Sequence, residues 1–221
     1  MLSLYRTNNR LGEMYLFLAL GLFAFGLSLV RVYFSHSRLF LFLNWNLFLA
    51  VVPYLLISYI SMKESLRNNK KMVIAISFIW LVLFPNTLYI LTDLFHLRPR
   101  LPIPVWFDLI LIFSFLWAGI VLGFKSLWDL EVLFKQWFNN YAVHVVSVIL
   151  LYVTAYGIYL GRFERWNSWD IMTDPIALLS AISFHFSQPV AHREVWALTI
   201  LFGTLLNTMY WTFYLIKRKK L

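Results

Sequence analysis

Six stretches of this chain are each long and apolar enough to cross a lipid bilayer. They cover residues 13–34, 39–60, 72–91, 105–124, 141–160 and 195–216. Crossing about 30 Å of hydrocarbon at about 1.5 Å per residue takes roughly 20 residues of helix, and each stretch meets that length. Backbone polar groups have no water to turn to inside a bilayer, so such segments must be helical. The spacing therefore predicts an all-α bundle of six transmembrane helices forming one integral membrane domain over residues 1–221. The first stretch has no small-residue cleavage site after it, and reads as a retained helix. No stretch repeats another closely enough to indicate duplicated halves.

Charge sets the expected orientation. With the N-terminus in the cytoplasm, the inner segments hold twelve basic residues: Arg6, Arg10, Lys63, Arg67, Lys70, Lys71, Lys125, Lys135, Lys217, Arg218, Lys219 and Lys220. The outer segments hold seven, Arg31, Arg38, Arg98, Arg100, Arg162, Arg165 and Arg193. The positive-inside rule then favours both termini in the cytoplasm. The formal net charge of +9 is thereby an orientation signal. It gives no reason to invoke nucleic acid, because the inner basic residues are spread over short turns and a tail. There is no cysteine, which excludes thiolate catalysis, Cys-ligated metal centres and lipid attachment through Cys. The inner segment 125–140 carries Leu127, Leu130, Phe134, Trp137 and Tyr141 at helical spacing, as expected of a helix lying in the interface with Trp128 and Trp137 as anchors. The tail 217–220 suits anionic headgroups.

The chemistry-bearing residues gather on the outer side. At the end of the third stretch, Asn86, Tyr89, Asp93 and His96 recur at helical spacing, which predicts one polar stripe. Pro85 precedes them inside the span, where a proline kinks a helix and frees backbone carbonyls. Such a stripe must face other helices or a water-filled cavity rather than lipid. Asp93 and His96 are placed to share a proton or a metal, or to hydrogen-bond each other. The structural alternative is a packed polar lock between helices. Beyond them, Pro99, Pro102 and Pro104 favour an extended segment. Asp108 sits where a carboxylate favours a helix N-terminus.

A second dense run leaves the fifth span: Arg162, Phe163, Glu164, Arg165, Trp166, Asn167, Ser168, Trp169 and Asp170. Trp166 and Trp169 suit the headgroup level. Arg162 and Arg165 are placed to clamp an anionic group, or to pair with Glu164, Asp170 or Asp93. Asn167, Ser168 and Asp170 are candidates to cap a following helix. Asp174 before Pro175 marks a helix start, and 176–194 then reads as an interfacial or re-entrant segment ending near Pro189. Its His185 and His192 are candidates, with Asp93 and His96, for a divalent metal site, although no metal motif such as H-E-x-x-H is present. His36 is expected to be solvated, and His144 in the fifth span to be tied up between helices.

Two runs carry a family resemblance. Phe84-Pro85-Asn86 through Tyr89 to Thr92-Asp93-Leu94-Phe95-His96-Leu97, and Gly157-Ile158-Tyr159-Leu160-Gly161-Arg162-Phe163-Glu164-Arg165-Trp166-Asn167-Ser168-Trp169-Asp170, resemble a bacterial multipass membrane family known only as domain of unknown function 1361. Thr87, where the family usually has Ala, and Glu164, where an apolar residue is expected, depart from it. The resemblance implies a bacterial inner-membrane protein and brings no activity with it.

Three function classes remain. The first is an enzyme acting at the outer leaflet on a lipid or lipid-linked envelope precursor. Asp93 and His96 would be its catalytic groups, and Asn86, Tyr89, Arg162, Arg165, Trp166, Asn167, Trp169 and Asp170 would bind substrate in a pocket formed by spans three to six. The second is a carrier or flippase, disfavoured by the apolar inner halves of the spans and the lack of a repeat. The third is a non-catalytic scaffold or subunit of envelope machinery, its polar motifs serving as helix-packing locks and a lipid-binding collar, with a membrane-protein partner docking through 125–140.

Overall fold

The computed structural model describes residues 2–218 of the chain, with side chains over 10–216. Arg6 and the basic tail 217–220 fall outside the described side chains. The fold is all-helical: α1 (Leu2–Ser35), α2 (Phe42–Met62), α3 (Glu64–Arg67), α4 (Lys70–Leu83), α5 (Pro85–Tyr89), a 3-10 stretch (Ile90–His96), α6 (Val105–Phe134), α7 (Asn140–Phe163), α8 (Asp170–Thr173), α9 (Pro175–Ser187) and α10 (Arg193–Arg218). Among the described residues, five helical segments are long and apolar enough to cross a membrane: Arg10–Ser35, Phe42–Met62, Lys70–His96, Val105–Phe134 and Asn140–Phe163. The chain is a multi-pass membrane protein. The helix expected over 195–216 forms as α10, but it is less apolar than these five. Its threonines, tyrosines and Asn207 lower its mean hydropathy.

Two compact units make up the chain, Met1–Leu130 and Glu131–Leu221. In the first, α2 packs against α4, α5 and the 3-10 stretch. Part of α6 presses two glycines onto α5. A Cβ on Gly119 would lie 2.6 Å from the Thr87 carbonyl oxygen, and one on Gly123 would lie 2.6 Å from the Thr87 hydroxyl. Small residues four apart allow backbones this close where no hydrophobic effect drives helices together. In the second unit, α7 packs along α10.

The break in the third span falls where Pro85 predicts it. A proline has no N–H to donate into the preceding turn. The helix accordingly interrupts at Phe84, whose carbonyl accepts from both the Thr87 N–H (3.0 Å) and the Thr87 hydroxyl (2.7 Å). The chain then tightens into the 3-10 stretch. The single α-helical stripe expected over Asn86, Tyr89, Asp93 and His96 therefore does not persist. Three residues per turn put Ile90, Asp93 and His96 above one another, while Asn86 and Tyr89 belong to α5.

Segment 125–140 also differs from expectation. No separate interfacial helix forms there: α6 runs unbroken to Phe134, and a turn follows. The apolar spacing behind the interfacial reading belongs to the buried side of α6, where Leu127 and Leu130 are 0% and 1% exposed, and the acids on the same stretch are neutralised one helical turn away. Lys125 Nζ lies 2.8 Å from both Asp129 oxygens, and Lys135 Nζ lies 3.1 Å from Glu131 Oε2. With those partners, and with the Ser147 and Tyr210 hydroxyls donating to Glu131 Oε1 at 2.7 and 2.8 Å, the carboxylates are tolerated in buried positions.

Candidate functional site

In the first unit, Asp93 is fully buried on the 3-10 stretch. Its Oδ2 accepts from Asn46 Nδ2 of α2 at 2.8 Å. Its Oδ1 lies 4.0 Å from His96 Nδ1, and the His96 side chain keeps 34% of its exposure. The result is a carboxylate fixed from behind, next to an imidazole that still meets its surroundings. The His96 ring rests on Phe42, with centroids 5.0 Å apart. Arg100 donates from Nη1 to the His96 carbonyl at 2.7 Å, which ties down the end of the 3-10 turn.

The same Arg100 lies over one aromatic ring that also carries a second arginine. Its guanidinium is 5.7 Å from the Phe40 centroid, and that of Arg31 is 4.6 Å from it. Arg31 in turn grips Asp108 in the first turn of α6, Nε to Oδ1 at 3.0 Å and Nη2 to Oδ2 at 3.2 Å, and donates to Ser35 at 2.9 Å. Asp108 thus combines the helix N-terminal position with a buried, bidentate ion pair. Phe40 is the shared support between this pair and the backbone that carries His96.

The second unit holds another hydrogen-bonded chain. His185 on α9 is buried, its Nε2 2.7 Å from Glu164 Oε1 and its Nδ1 2.9 Å from the Tyr156 hydroxyl. With Glu164 accepting from Nε2–H, Nδ1 is left to accept from Tyr156. Trp166 donates to the other Glu164 oxygen at 3.1 Å. The His192 ring lies 4.8 Å from that of His185. Glu164, unexpected in sequence for its polarity, is therefore the acid that holds a buried histidine.

The remaining expected residues have distinct places. Asp170 shapes its own turn: it accepts from the Asn167 N–H at 2.6 Å, the Asn167 amide at 3.3 Å and the Thr173 hydroxyl at 3.2 Å. It does not cap the helix that follows, as expected of Asn167, Ser168 or Asp170: Trp169 stands at the N-cap of α8, with no side-chain cap hydrogen bond. Asp174 caps α9 by accepting from the Ala177 N–H at 3.3 Å, with Pro175 at the first helical position. At 13 residues, α9 is too short to cross a bilayer. Arg165 is exposed at a positive φ of 64°, and Trp169 is exposed beside it in the chain. Arg162 and Trp166 are half-buried. Glu164 and Asp170 are engaged with His185, Trp166, Asn167 and Thr173, and not with Arg165. His36 is exposed, as expected of a solvated turn residue. His144 lies 3.2 Å from the Tyr214 hydroxyl and 3.9 Å from Glu131, between helices as expected.

Metal-ligand geometry is a different matter. Among the described residues, no three His, Asp or Glu side chains come together as a metal centre requires. Asp93 with His96, and His185 with His192, are pairs, the first in one unit and the second in the other.

Sequence reasoning missed Asn46, whose amide donates to Asp93 at 2.8 Å. The signal available was an amide within an apolar span, which needs a partner between helices. It also missed Arg31, whose partner Asp108 lies 77 residues away.

Residues 45–209 of the chain match a family described as protein of unknown function (DUF1361). The match covers well over half of the length, and the chain belongs to that family. No curated protein and no solved structure matches it.

Proposed function

We propose that this DUF1361 protein is an enzyme of the bacterial inner membrane that acts on a lipid or lipid-linked envelope substrate, with Asp93 and His96 as its proton-transfer pair. One observation carries the reading. A fully buried carboxylate, fixed by Asn46 at 2.8 Å, stands 4.0 Å from a histidine that remains one-third exposed. Ionisable groups at membrane depth are costly and seldom idle. His96 is the group that meets substrate. It takes a proton from an attacking water or hydroxyl and returns it to the leaving oxygen, while Asp93 orients the ring and stabilises its protonated form. A separation of 4.0 Å closes to a hydrogen bond with a small rotation, as catalytic contacts often do when substrate arrives.

The test compares membrane lipids, by mass spectrometry, from cells lacking the chain and cells expressing it. The reading expects one lipid or lipid-linked species to accumulate in the null strain and to fall on expression. Identical profiles overturn it.

A carrier is the second reading. It is favoured by Glu131, a buried acid joined to Lys135, Ser147 and Tyr210 with His144 nearby. Solute uptake into proteoliposomes that is abolished by Glu131→Gln would place this reading first.

A further inference from the structure

Phe40 and Phe42, at the entry to α2, lie with ring centroids 6.3 Å apart. The His96 ring rests on Phe42 at 5.0 Å, and the Arg100 guanidinium lies over Phe40 at 5.7 Å. The two rings thereby set a guanidinium beside the imidazole of His96. Arg100 is fixed there twice more. Its Nη1 donates to the His96 carbonyl at 2.7 Å, and its own carbonyl accepts from the Ile103 N–H at 3.1 Å.

Charge around Phe40 does not balance. The guanidiniums of Arg31 and Arg100 share that ring, and both oxygens of Asp108 are taken by Arg31. Asp93 is turned to Asn46 and His96. Among the described residues, Arg100 has no acidic partner. Its Nε and Nη2 make no hydrogen bond to them, yet neither atom is sealed inside the protein, and the side chain is half-buried. A cation without a counter-charge is costly near hydrocarbon, and an accessible guanidinium fork fits an oxyanion.

The neighbouring imidazole decides which oxyanion. A carboxylate offers Arg100 a charge but offers His96 no leaving oxygen. A carboxylic ester has the leaving oxygen and no charge. A phosphate ester has both on one phosphorus: non-bridging oxygens that carry the charge, and a bridging oxygen that leaves.

We infer that the substrate is a lipid phosphate ester and that Arg100 binds its phosphate: Nε and Nη2 hold the non-bridging oxygens, and the bridging oxygen faces His96. This rests on the proposed pairing of Asp93 and His96 in proton transfer. An oxygen of water or of an acceptor hydroxyl bonds to phosphorus as the bridging P–O bond breaks. Its proton reaches the leaving oxygen through His96, so atoms and charge balance with no oxidant or reductant.

Native mass spectrometry of the detergent-solubilised protein reads the binding without turnover, with dioleoyl phosphatidylglycerol and dioleoylglycerol added at equal concentration. Arg100→Gln keeps an N–H for the His96 carbonyl and loses the charge. It should lower the ratio of phospholipid to diacylglycerol adducts about tenfold, the factor expected of a charge-assisted hydrogen bond. Arg100→Lys, with the charge restored, should recover most of that ratio. Arg98→Gln, at an exposed arginine two residues away, should leave it unchanged. Inorganic phosphate in tenfold excess should not displace the phospholipid, whose chains add to its hold on the protein. An unchanged ratio in Arg100→Gln, or no recovery in Arg100→Lys, overturns the assignment. An equal fall in Arg98→Gln also overturns it, by marking general surface charge. Displacement by inorganic phosphate overturns the lipid. Failure of the proton-transfer pair is read separately, in lipid conversion by His96→Gln, so the two readings fail independently.

Discussion

The Arg31 guanidinium and the Asp108 carboxylate meet through two hydrogen bonds, at 3.0 and 3.2 Å, with 2% and 1% of their side chains exposed. Removing one member of a buried pair strands the other charge, which costs roughly 3–5 kcal/mol. Arg31→Met and Asp108→Leu should each lower the melting temperature in detergent sharply. The double variant, which leaves no unpaired charge, should lie closer to wild type than either. Additive losses in the double variant would show that the two side chains act separately.

The glycine face of α6 makes a prediction with an internal control. Gly123→Ala places a methyl 2.6 Å from the Thr87 hydroxyl, whereas Gly119→Ala places one 2.6 Å from the Thr87 backbone carbonyl. Overpacking of this kind costs about 1–3 kcal/mol. Thr87→Ala removes the first obstacle and not the second. Measured by thermal unfolding against the Thr87→Ala background, Gly123→Ala should be largely tolerated and Gly119→Ala should not. Equal rescue of both would contradict the close approach of α5 and α6.

Glu131 is the charged node of the second unit, accepting from Ser147 at 2.7 Å, Tyr210 at 2.8 Å and Lys135 at 3.1 Å. Glu131→Ala removes the acceptor of the Tyr210 hydroxyl and of Lys135, and leaves the Ser147 hydroxyl to the Val143 carbonyl at 3.1 Å. Glu131→Gln retains an oxygen for the hydroxyls and loses the charge facing Lys135. Alanine should therefore lower the melting temperature well beyond glutamine, by roughly 2–4 °C for each additional kcal/mol lost in a chain of this size. A glutamine variant as unstable as alanine would mean that the charge, and not the hydrogen bonding, holds the node.

Local features were legible in the sequence, and distant pairings were not. Apolar length marked out the spans because backbone satisfaction in lipid leaves a helix as the only choice. Pro85 and Asp174-Pro175 announced a break and a cap, each acting within four residues. The partnerships Arg31–Asp108, Asn46–Asp93 and Tyr210–Glu131 join positions 77, 47 and 79 apart. No periodicity encodes such distances. Segment 125–140 misled for a related reason: apolar residues at helical spacing flanked by tryptophans look the same on an interfacial helix as on the buried continuation of a span. The 3-10 winding after Tyr89 was equally hidden, since the residues that adopt it would also continue an α-helix.

The proposed roles are proton transfer for His96 and positioning of its ring for Asp93. The direct measurement is conversion of the accumulated lipid species by membranes containing wild type, His96→Gln or Asp93→Asn, with the melting temperature of each purified variant alongside. The account predicts that His96→Gln, at a one-third exposed position, melts with wild type and loses about 100-fold or more of the activity. Asp93→Asn should show a smaller loss together with a shifted pH profile. A His96→Gln variant that folds normally and retains its activity would contradict the account.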